Sequence, residues 1–164
     1  MEQGLVVTQL DVQPGECVKV KGKILSDAKG FSVNVGKDSS TLMLHFNPRF
    51  DCHGDVNTVV CNSKEDGTWG EEDRKADFPF QQGDKVEICI SFDAAEVKGS
   101  MHVRRTPIRR LCCTDQAQQK FLLCIWWQGI EEAAVTAVLY GSRVQVAYAS
   151  LHCRSLAMLW GYLF

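Results

Sequence analysis

The sequence has no surplus of basic residues and no long apolar run. Its 18 Lys and Arg stand against 20 Asp and Glu, which argues against a general nucleic-acid binder because such proteins normally carry a basic surface. No stretch reaches the roughly 18 to 20 uncharged apolar residues that span a bilayer, so we expect no membrane insertion. Residues 1–10 contain neither a basic start nor an apolar run, and we therefore expect no signal peptide.

Regular cysteine spacing is also missing. None of the eight cysteines forms a C-x-x-C motif, so the spacing does not indicate a structural zinc site. In a chain without an export signal we expect free thiols and no disulfide framework.

Charge is distributed unevenly about Lys98. Residues 1–98 contain 11 Lys and Arg against 17 Asp and Glu, a net of −6. Residues 99–164 contain 7 basic and 3 acidic side chains, a net of +4. Such a shift can mark a domain boundary.

The first part of the chain alternates apolar and polar residues with a period of two. The alternation is broken by Gly, Pro, Asn and Asp, which predicts an all-β sandwich. The predicted strands are residues 6–10, 17–21, 31–35, 41–46, 58–62 and 85–92. Beyond them, residues 121–127 form an apolar run too short for a membrane helix, and residues 134–139 and 144–148 can form a hairpin around Gly141-Ser142.

One predicted strand carries a row of polar groups on a single face. Side chains alternate along a strand, so His45, Asn47 and Arg49 point one way, while Leu44 and Phe46 point toward a core. We call His45, Asn47 and Arg49 the polar row. Its imidazole, amide and guanidinium offer donors and acceptors at intervals of roughly 7 Å, which suits the hydroxyls of a sugar ring.

Two further elements follow along the chain. Val60 and Asn62 share a face of the next strand, and Trp69 is followed by Glu72 and Arg74 after a turn. The indole of Trp69 supplies a flat apolar surface, whereas Glu72 accepts and Arg74 donates hydrogen bonds.

This set of side chains fits a pyranose, which has hydroxyls at its rim and an apolar face. Galactose gathers several C–H groups on one side, where an aromatic plate can pack. A donor or acceptor left unpaired by the wrong epimer costs roughly 1 to 3 kcal/mol. An ion-pair network of Arg49, Arg74, Glu72 and Asp55 can hold the guanidinium groups still before a ligand arrives.

The elements H-x-N-x-R, V-x-N and W-x-x-E-x-R, in this order and spacing, resemble the signature of the galectins. The resemblance covers about residues 1–98 and is to the one-domain, dimer-forming type. It implies a jelly-roll-like sandwich of two antiparallel sheets, as in galectins and legume lectins. It also implies a lectin that has no catalytic activity and needs no metal or cofactor. The resemblance further implies that the protein is found in the cytosol and, after export without a signal peptide, outside the cell. Its partners would be lactose- and N-acetyllactosamine-type β-galactoside glycans, the glycoproteins that carry them, and a second copy in a homodimer.

The resemblance also assigns a role to each residue of the site. It implies that the polar row contacts the galactose 4-hydroxyl, that Asn62 and Glu72 contact the 6-hydroxyl, and that Trp69 stacks on the ring. The two arginines and Glu72 reach the neighbouring sugar, while His53 and Asp55 extend or brace the site from the adjoining loop. The predicted ligand-binding residues are therefore His45, Asn47, Arg49, Val60, Asn62, Trp69, Glu72 and Arg74.

An enzymatic alternative is a glycosidase with Glu72 and Asp55 as its paired carboxylates. That chemistry needs one carboxyl group that keeps its proton, whereas the flanking arginines favour the ionised forms. A Cys52–His53 nucleophile pair is disfavoured because adjacent side chains normally diverge. We therefore predict binding without catalysis.

The galectin-like sequence ends near Lys98. From Gly99 onward no F-P-N-R-like segment and no closing Gly-Asp-Phe-Lys-like strand is found, although the family uses this stretch to complete both sheets and part of the dimer interface. We predict a galectin-type carbohydrate-recognition domain over residues 1–98 that lacks its usual last strands. Residues 99–164 are predicted to be an atypical, non-matching C-terminal segment, partly disordered or an alternative terminus. The alternative function is a lectin-fold isoform with impaired sugar binding, which acts as an interaction protein or is unstable.

Overall fold

The computed structural model describes the backbone of residues 6–11, 17–92, 97–103, 106–114, 122–128, 130–139 and 142–149, and the side chains of residues 17–91. The described residues form thirteen β-strands and no helix. The strands are β1 (Val6–Asp11), β2 (Cys17–Ile24), β3 (Ser32–Gly36), β4 (Leu42–Cys52), β5 (Asp55–Glu65), β6 (Thr68–Trp69), β7 (Asp73–Lys75), β8 (Lys85–Phe92), β9 (Val97–Val103), β10 (Thr106–Thr114), β11 (Leu122–Gln128), β12 (Ile130–Leu139) and β13 (Ser142–Ala149). Within this part of the chain, no helix is long and apolar enough to cross a membrane.

The strands pair into two antiparallel sheets. The first sheet has the order β1-β11-β3-β4-β5-β6, with β7 also paired to β5, and the second has the order β10-β9-β8-β2-β12-β13. We call the first one the site sheet. The predicted all-β, two-sheet sandwich is confirmed.

The second sheet shows why alternation produces a sandwich. Val20 of β2 lies opposite Ile88 of β8, and both side chains are buried in the core. Lys21 is the next residue along β2 and faces outward, where its Nζ lies 2.9 Å from a carboxylate oxygen of Glu87. On β2 and β8 the apolar side chains therefore cover the core, and the charged side chains remain in contact with water.

The site sheet buries its inner face in the same way. Val35 pairs with Leu44, and Val33 pairs with Phe46, and all four side chains are buried as predicted for β4. The ring of Phe31 packs edge-on against Phe80 with a centroid distance of 5.0 Å. Because the inner face is apolar and well packed, the outer face of β3 and β4 is left for polar side chains.

The later part of the chain also contributes strands. β11 lies between β1 and β3 in the site sheet, and β12 pairs with β2 in the second sheet. β12 and β13 pair as antiparallel neighbours, with Leu139 opposite Ser142 and Ala134 opposite Tyr148, which confirms the predicted pairing of residues 134–139 with residues 144–148. The domain boundary near Lys98 and the alternative terminus stay predictions.

Among the cysteines whose side chains the structure describes, Cys61 departs from the expectation. Cys17 and Cys52 are free thiols, but Cys61 is disulfide-bonded, so the prediction of free thiols is wrong for Cys61. Cys61 pairs with Phe46 across β4 and β5 and is buried on the inner face of the site sheet. Strand pairing brings it into the interior, and such a neighbourhood cannot be inferred from cysteine spacing.

Candidate functional site

The polar row lies on the outer face of β4, as the alternation predicts. His45 and Asn47 are partly buried, and Arg49 is only 8% exposed. β5 pairs with β4 so that His45 faces Asn62, and directly paired residues share one face of an antiparallel sheet. Two strands thus bring four polar side chains together.

A tight turn joins β4 to β5 and closes one end of this face. Cys52 pairs with Asp55, and the two residues between them, His53 and Gly54, have φ angles of 54° and 80°. Positive φ at both central positions is typical of a type I′ hairpin turn, which glycine adopts without strain. The turn places Asp55 at the start of β5, two residues beyond His53.

A second turn of the same kind positions the tryptophan. Asp66 and Gly67 have φ angles of 46° and 86° and join β5 to β6, so that Trp69 pairs with Lys64. The Nζ of Lys64 lies 5.0 Å from the centroid of the Trp69 ring. The ring is also 5.0 Å from the imidazole of His45, measured between centroids. Trp69 remains 48% exposed, so a large apolar surface faces solvent beside the polar row.

These elements surround an open depression of about 550 Å³ on the outer face of the site sheet. It is lined by Ser32, His45, Asn47, Arg49, His53, Asn62, Trp69, Gly70 and Glu72. A concave surface with one aromatic group and several convergent polar groups is the usual form of a small-ligand site.

The asparagine amides of the site are held by the protein itself. Asn47 Nδ2 donates to the carbonyl oxygen of Phe31 over 2.8 Å, and Asn47 Oδ1 accepts a 2.9 Å hydrogen bond from Arg49 Nε. Asn62 Nδ2 donates to the carbonyl oxygen of Gly70 over 3.2 Å. Because both amides have fixed partners, their orientation is set before any ligand arrives, which reduces the entropy lost on binding.

Four charged side chains form a closed ring at the edge of the depression, as predicted. Arg49 Nη1 lies 2.5 Å from Asp55 Oδ2, and Arg49 Nη2 lies 3.7 Å from Glu72 Oε1. Arg74 Nη1 is 3.0 Å from Asp55 Oδ1, and its Nη2 contacts Glu72 Oε2. Each guanidinium therefore meets both carboxylates, and the fork geometry restrains both arginines.

His45 is held in its neutral form. Burial lowers the pKa of His45 from 6.5 to about 4, Arg49 and Lys64 contribute to the lowering, and Glu72 opposes them. The ring Nδ1 lies 2.5 Å from Asn34 Oδ1. At neutral pH the imidazole is therefore uncharged, with one nitrogen able to donate and the other able to accept a hydrogen bond.

The structure brings most of the predicted residues together. Val60, Arg74 and Asp55 do not line the depression, although the last two belong to the ion-pair ring. Val60 is 0% exposed, because β5 pairs it with Asn47 on one side and with Arg74 of β7 on the other. Its burial does not support the predicted ligand contact and indicates a packing role beneath the site.

Two residues of the site are not identified by the sequence alone. Ser32, which lines the depression, and Asn34 are both buried polar residues of β3, and Asn34 pairs with His45 of β4. The sequence does contain a pattern that could indicate them, since Ser32 and Asn34 occupy alternate positions of a predicted strand. Polar residues at alternate positions usually face water, however, so only the pairing of β3 with β4 indicates their role.

The chemistry of the described groups is suited to recognition. Asp55 and Glu72 both contact guanidinium groups, so the two carboxyl groups orient the arginines, whereas glycoside hydrolysis requires one carboxyl group that delivers a proton to the leaving oxygen. Burial raises the pKa of Cys52, so its thiol is protonated and a weak nucleophile at neutral pH. In the part of the chain that the structure describes, no group of three or more His, Cys, Asp or Glu side chains could hold a metal ion.

Comparison with known sequences places the chain in a recognised group. The family model for galactoside-binding lectins matches residues 3–105. Galectin-1 of Mus musculus is 60% identical over 97 residues, which are 59% of this chain and 72% of that protein. Galectin-1 of Capra hircus is 59% identical over 97 residues, which again are 59% of this chain and 72% of that protein.

Solved structures agree with this match and extend further along the chain. A homodimeric agglutinin from chicken liver, CG-16, superposes with a TM-score of 0.69 at 66% identity, covering 90% of this chain and 100% of that one. A toad ovary galectin in complex with thio-digalactose superposes with a TM-score of 0.72 at 37% identity, covering 82% of this chain and 99% of that one.

Proposed function

Because the chain belongs to the galactoside-binding lectin family, which is non-enzymatic, we propose that its depression binds lactose- and N-acetyllactosamine-type glycans. Family membership confirms the predicted recognition and the absence of catalysis.

The observation that carries the proposal is the convergence of a half-exposed aromatic ring with fixed polar groups. Trp69 offers an apolar plate, while His45, Asn47 and Arg49 offer an acceptor and donors beside it. A galactose ring needs both, because its C–H face packs on an aromatic ring and its 4-hydroxyl both donates and accepts. The toad ovary galectin was solved with a galactoside, thio-digalactose, which supports the same class of ligand here.

The second sugar of such a disaccharide would lie toward the ion-pair ring. Glu72 lines the depression, and Arg74 contacts it. A glucose or N-acetylglucosamine unit presents hydroxyls to this edge, where a carboxylate accepts and guanidinium groups donate. We therefore assign Arg49, Glu72 and Arg74 to that sugar.

Retention on immobilised lactose tests the proposal. The full chain should be retained and should be released by free lactose but not by mannose. A Trp69→Ala variant should pass through, whereas Val56→Ala, which alters an exposed residue outside the depression, should be retained like the wild type. Passage of the folded wild type straight through the column contradicts the proposal.

A second candidate function is a lectin-fold isoform with impaired sugar binding. One observation favours it: the sequence match to the galectin-1 relatives covers 59% of this chain. A chain that folds cooperatively but passes through the lactose column would fit an interaction protein, and one that aggregates would fit an unstable isoform.

We also propose an oligomeric state and a location for the protein. CG-16 is described as homodimeric, which supports a homodimer here, and light scattering coupled to size exclusion would measure it. Glycoproteins bearing terminal galactose are the proposed partners, and the cytosol and the space outside the cell are the proposed locations.

A further inference from the structure

The outer face of the site sheet contains a short chain of hydrogen bonds that leads into the polar row. Asn34 of β3 is paired with His45 of β4, and its Oδ1 lies 2.5 Å from His45 Nδ1. The amide nitrogen of Asn34 donates to Ser32 Oγ over 3.3 Å. Ser32 and Asn34 are both buried.

This contact determines which nitrogen of the imidazole carries the hydrogen. An amide oxygen has lone pairs and no hydrogen, so it can only accept. The hydrogen bond therefore requires a hydrogen on His45 Nδ1. A neutral imidazole has one N–H only, and Nε2 is consequently left with a lone pair that can accept.

We propose that Asn34 is a positioning residue that sets the specificity of the site by holding His45 in the Nδ1–H tautomer. His45 Nε2 then accepts a hydrogen bond, so the bound hydroxyl must donate to it. This inference rests on the proposed function, because the hydroxyl is that of the bound galactoside.

The surroundings of His45 make this acceptor important. Arg49 presents only donors, and the oxygen of Asn47 is already engaged by Arg49 Nε. Without an acceptor on His45, a hydroxyl above the polar row would meet mainly donors. With Nε2 as acceptor, a hydroxyl that donates in one direction and accepts in another satisfies the whole row, whereas an ether or a fluorine in its place does not.

The charged groups that face His45 come from three places. Arg49 lies on the same strand, Lys64 lies on β5, and Glu72 follows β6. β3 contributes no charge, since the residues on its outer face are Ser32 and Asn34. Burial and the two cations keep the ring neutral, so the tautomer is the remaining variable, and Asn34 is the group that fixes it.

The direct test is the tautomer of His45 in the unliganded full chain, measured from its ¹⁵N chemical shifts and long-range couplings. We expect the hydrogen on Nδ1 across the neutral range. A hydrogen on Nε2, or an equal mixture of the two tautomers, overturns the inference. This measurement involves no sugar, so it judges the inference even if lactose binding fails.

The functional test is an Asn34→Asp variant, which is nearly isosteric and adds a carboxylate. The introduced carboxyl group and His45 share one proton at lower pH. If His45 holds it, the imidazole is charged and both of its nitrogens carry hydrogens. If the carboxyl group holds it and donates to Nδ1, the neutral imidazole carries its hydrogen on Nε2, so Nε2 cannot accept a hydrogen bond in either case. Only loss of that proton restores the acceptor. Lactose affinity of the variant should therefore rise by at least about fivefold from pH 6 to pH 8.5.

Two controls separate this effect from a general structural one. The wild type should show little change over the same range, because its His45 is already neutral there. Asn57→Asp makes the same chemical change at an exposed position of β5 outside the depression, and it should behave like the wild type. If the lactose affinity of Asn34→Asp does not depend on pH, the inference is contradicted. If that variant does not fold, the tautomer of His45 in the wild type decides between the two outcomes.

Discussion

Arg49 and Asp55 form an ion pair of 2.5 Å between Nη1 and Oδ2, and Arg49 is only 8% exposed. The turn at His53 and Gly54 brings the two residues together, because it returns the chain from β4 to β5 within two residues. Asp55 also contacts Arg74. One carboxylate thus holds two guanidinium groups, and the site is formed before a ligand binds.

Removal of this carboxylate should weaken both stability and binding. Asp55→Ala leaves the buried guanidinium of Arg49 without its main partner, and breaking a buried pair costs roughly 3 kcal/mol. We expect a fall of that order in the free energy of unfolding, measured by urea denaturation, and a loss of lactose affinity, measured by calorimetry.

The matched control is Asp73→Ala. Asp73 pairs with Lys75 at 2.7 Å, but both side chains are well exposed, and exposed pairs contribute less than about 1 kcal/mol. Equal losses of stability in the two variants would contradict the central role of Asp55.

Trp69 should matter for binding far more than for folding. Trp69→Ala removes an apolar surface that a sugar would cover, and burial of a large apolar group contributes roughly 1.5 to 3 kcal/mol, so we expect lactose affinity to fall at least about tenfold. Because the ring is 48% exposed, the unfolding free energy should change by less than about 1 kcal/mol. Calorimetry and urea denaturation give the two quantities.

The control for this variant is Val56→Ala, which removes an exposed apolar side chain (65% exposed) outside the depression. It should leave lactose affinity unchanged. Unchanged lactose affinity in Trp69→Ala would show that the indole ring does not contribute to sugar binding.

Stability should depend on pH through His45. Its pKa is lowered from 6.5 to about 4 in the folded protein, so between these values the unfolded chain binds a proton that the folded chain does not. The free energy of unfolding therefore falls as pH falls through this range, and His45 has no effect above it.

A His45→Gln variant isolates this contribution, because other titrating groups are common to both proteins. From pH 7 to pH 5 the wild type should lose roughly 2 kcal/mol more than the variant. Urea denaturation at both pH values measures the difference, and parallel losses would show that the histidine is not buried in its neutral form.

Much of the fold follows from local patterns. Alternation predicted β2, β3, β5 and β8, and also the outward face of the polar row on β4. The turns at His53-Gly54 and Asp66-Gly67 are also local features, because the second residue of each is a glycine, which adopts positive φ without strain. Such features depend on neighbouring residues, so a sequence is enough to reveal them.

Features that depend on pairing between strands were less accessible. Val60 shares a face with Asn62, yet pairing with β7 covers it, and the two or three residues of β6 and β7 are too short to show a period. The bond between Asn34 and His45 requires β3 to lie beside β4 in one particular register. The disulfide at Cys61 likewise depends on which residues meet in the interior.

The polar row is expected to recognise the 4-hydroxyl, which distinguishes galactose from its 4-epimer, by hydrogen bonding to it. Methyl β-galactoside and methyl β-glucoside differ only in the orientation of that group, so calorimetric titration of the full chain with each one isolates its contribution. Loss of one well-placed hydrogen-bonding hydroxyl should weaken binding at least about tenfold, so we predict clear binding of the galactoside and at least about tenfold weaker binding of the glucoside. Equal affinities for the two epimers would contradict the account.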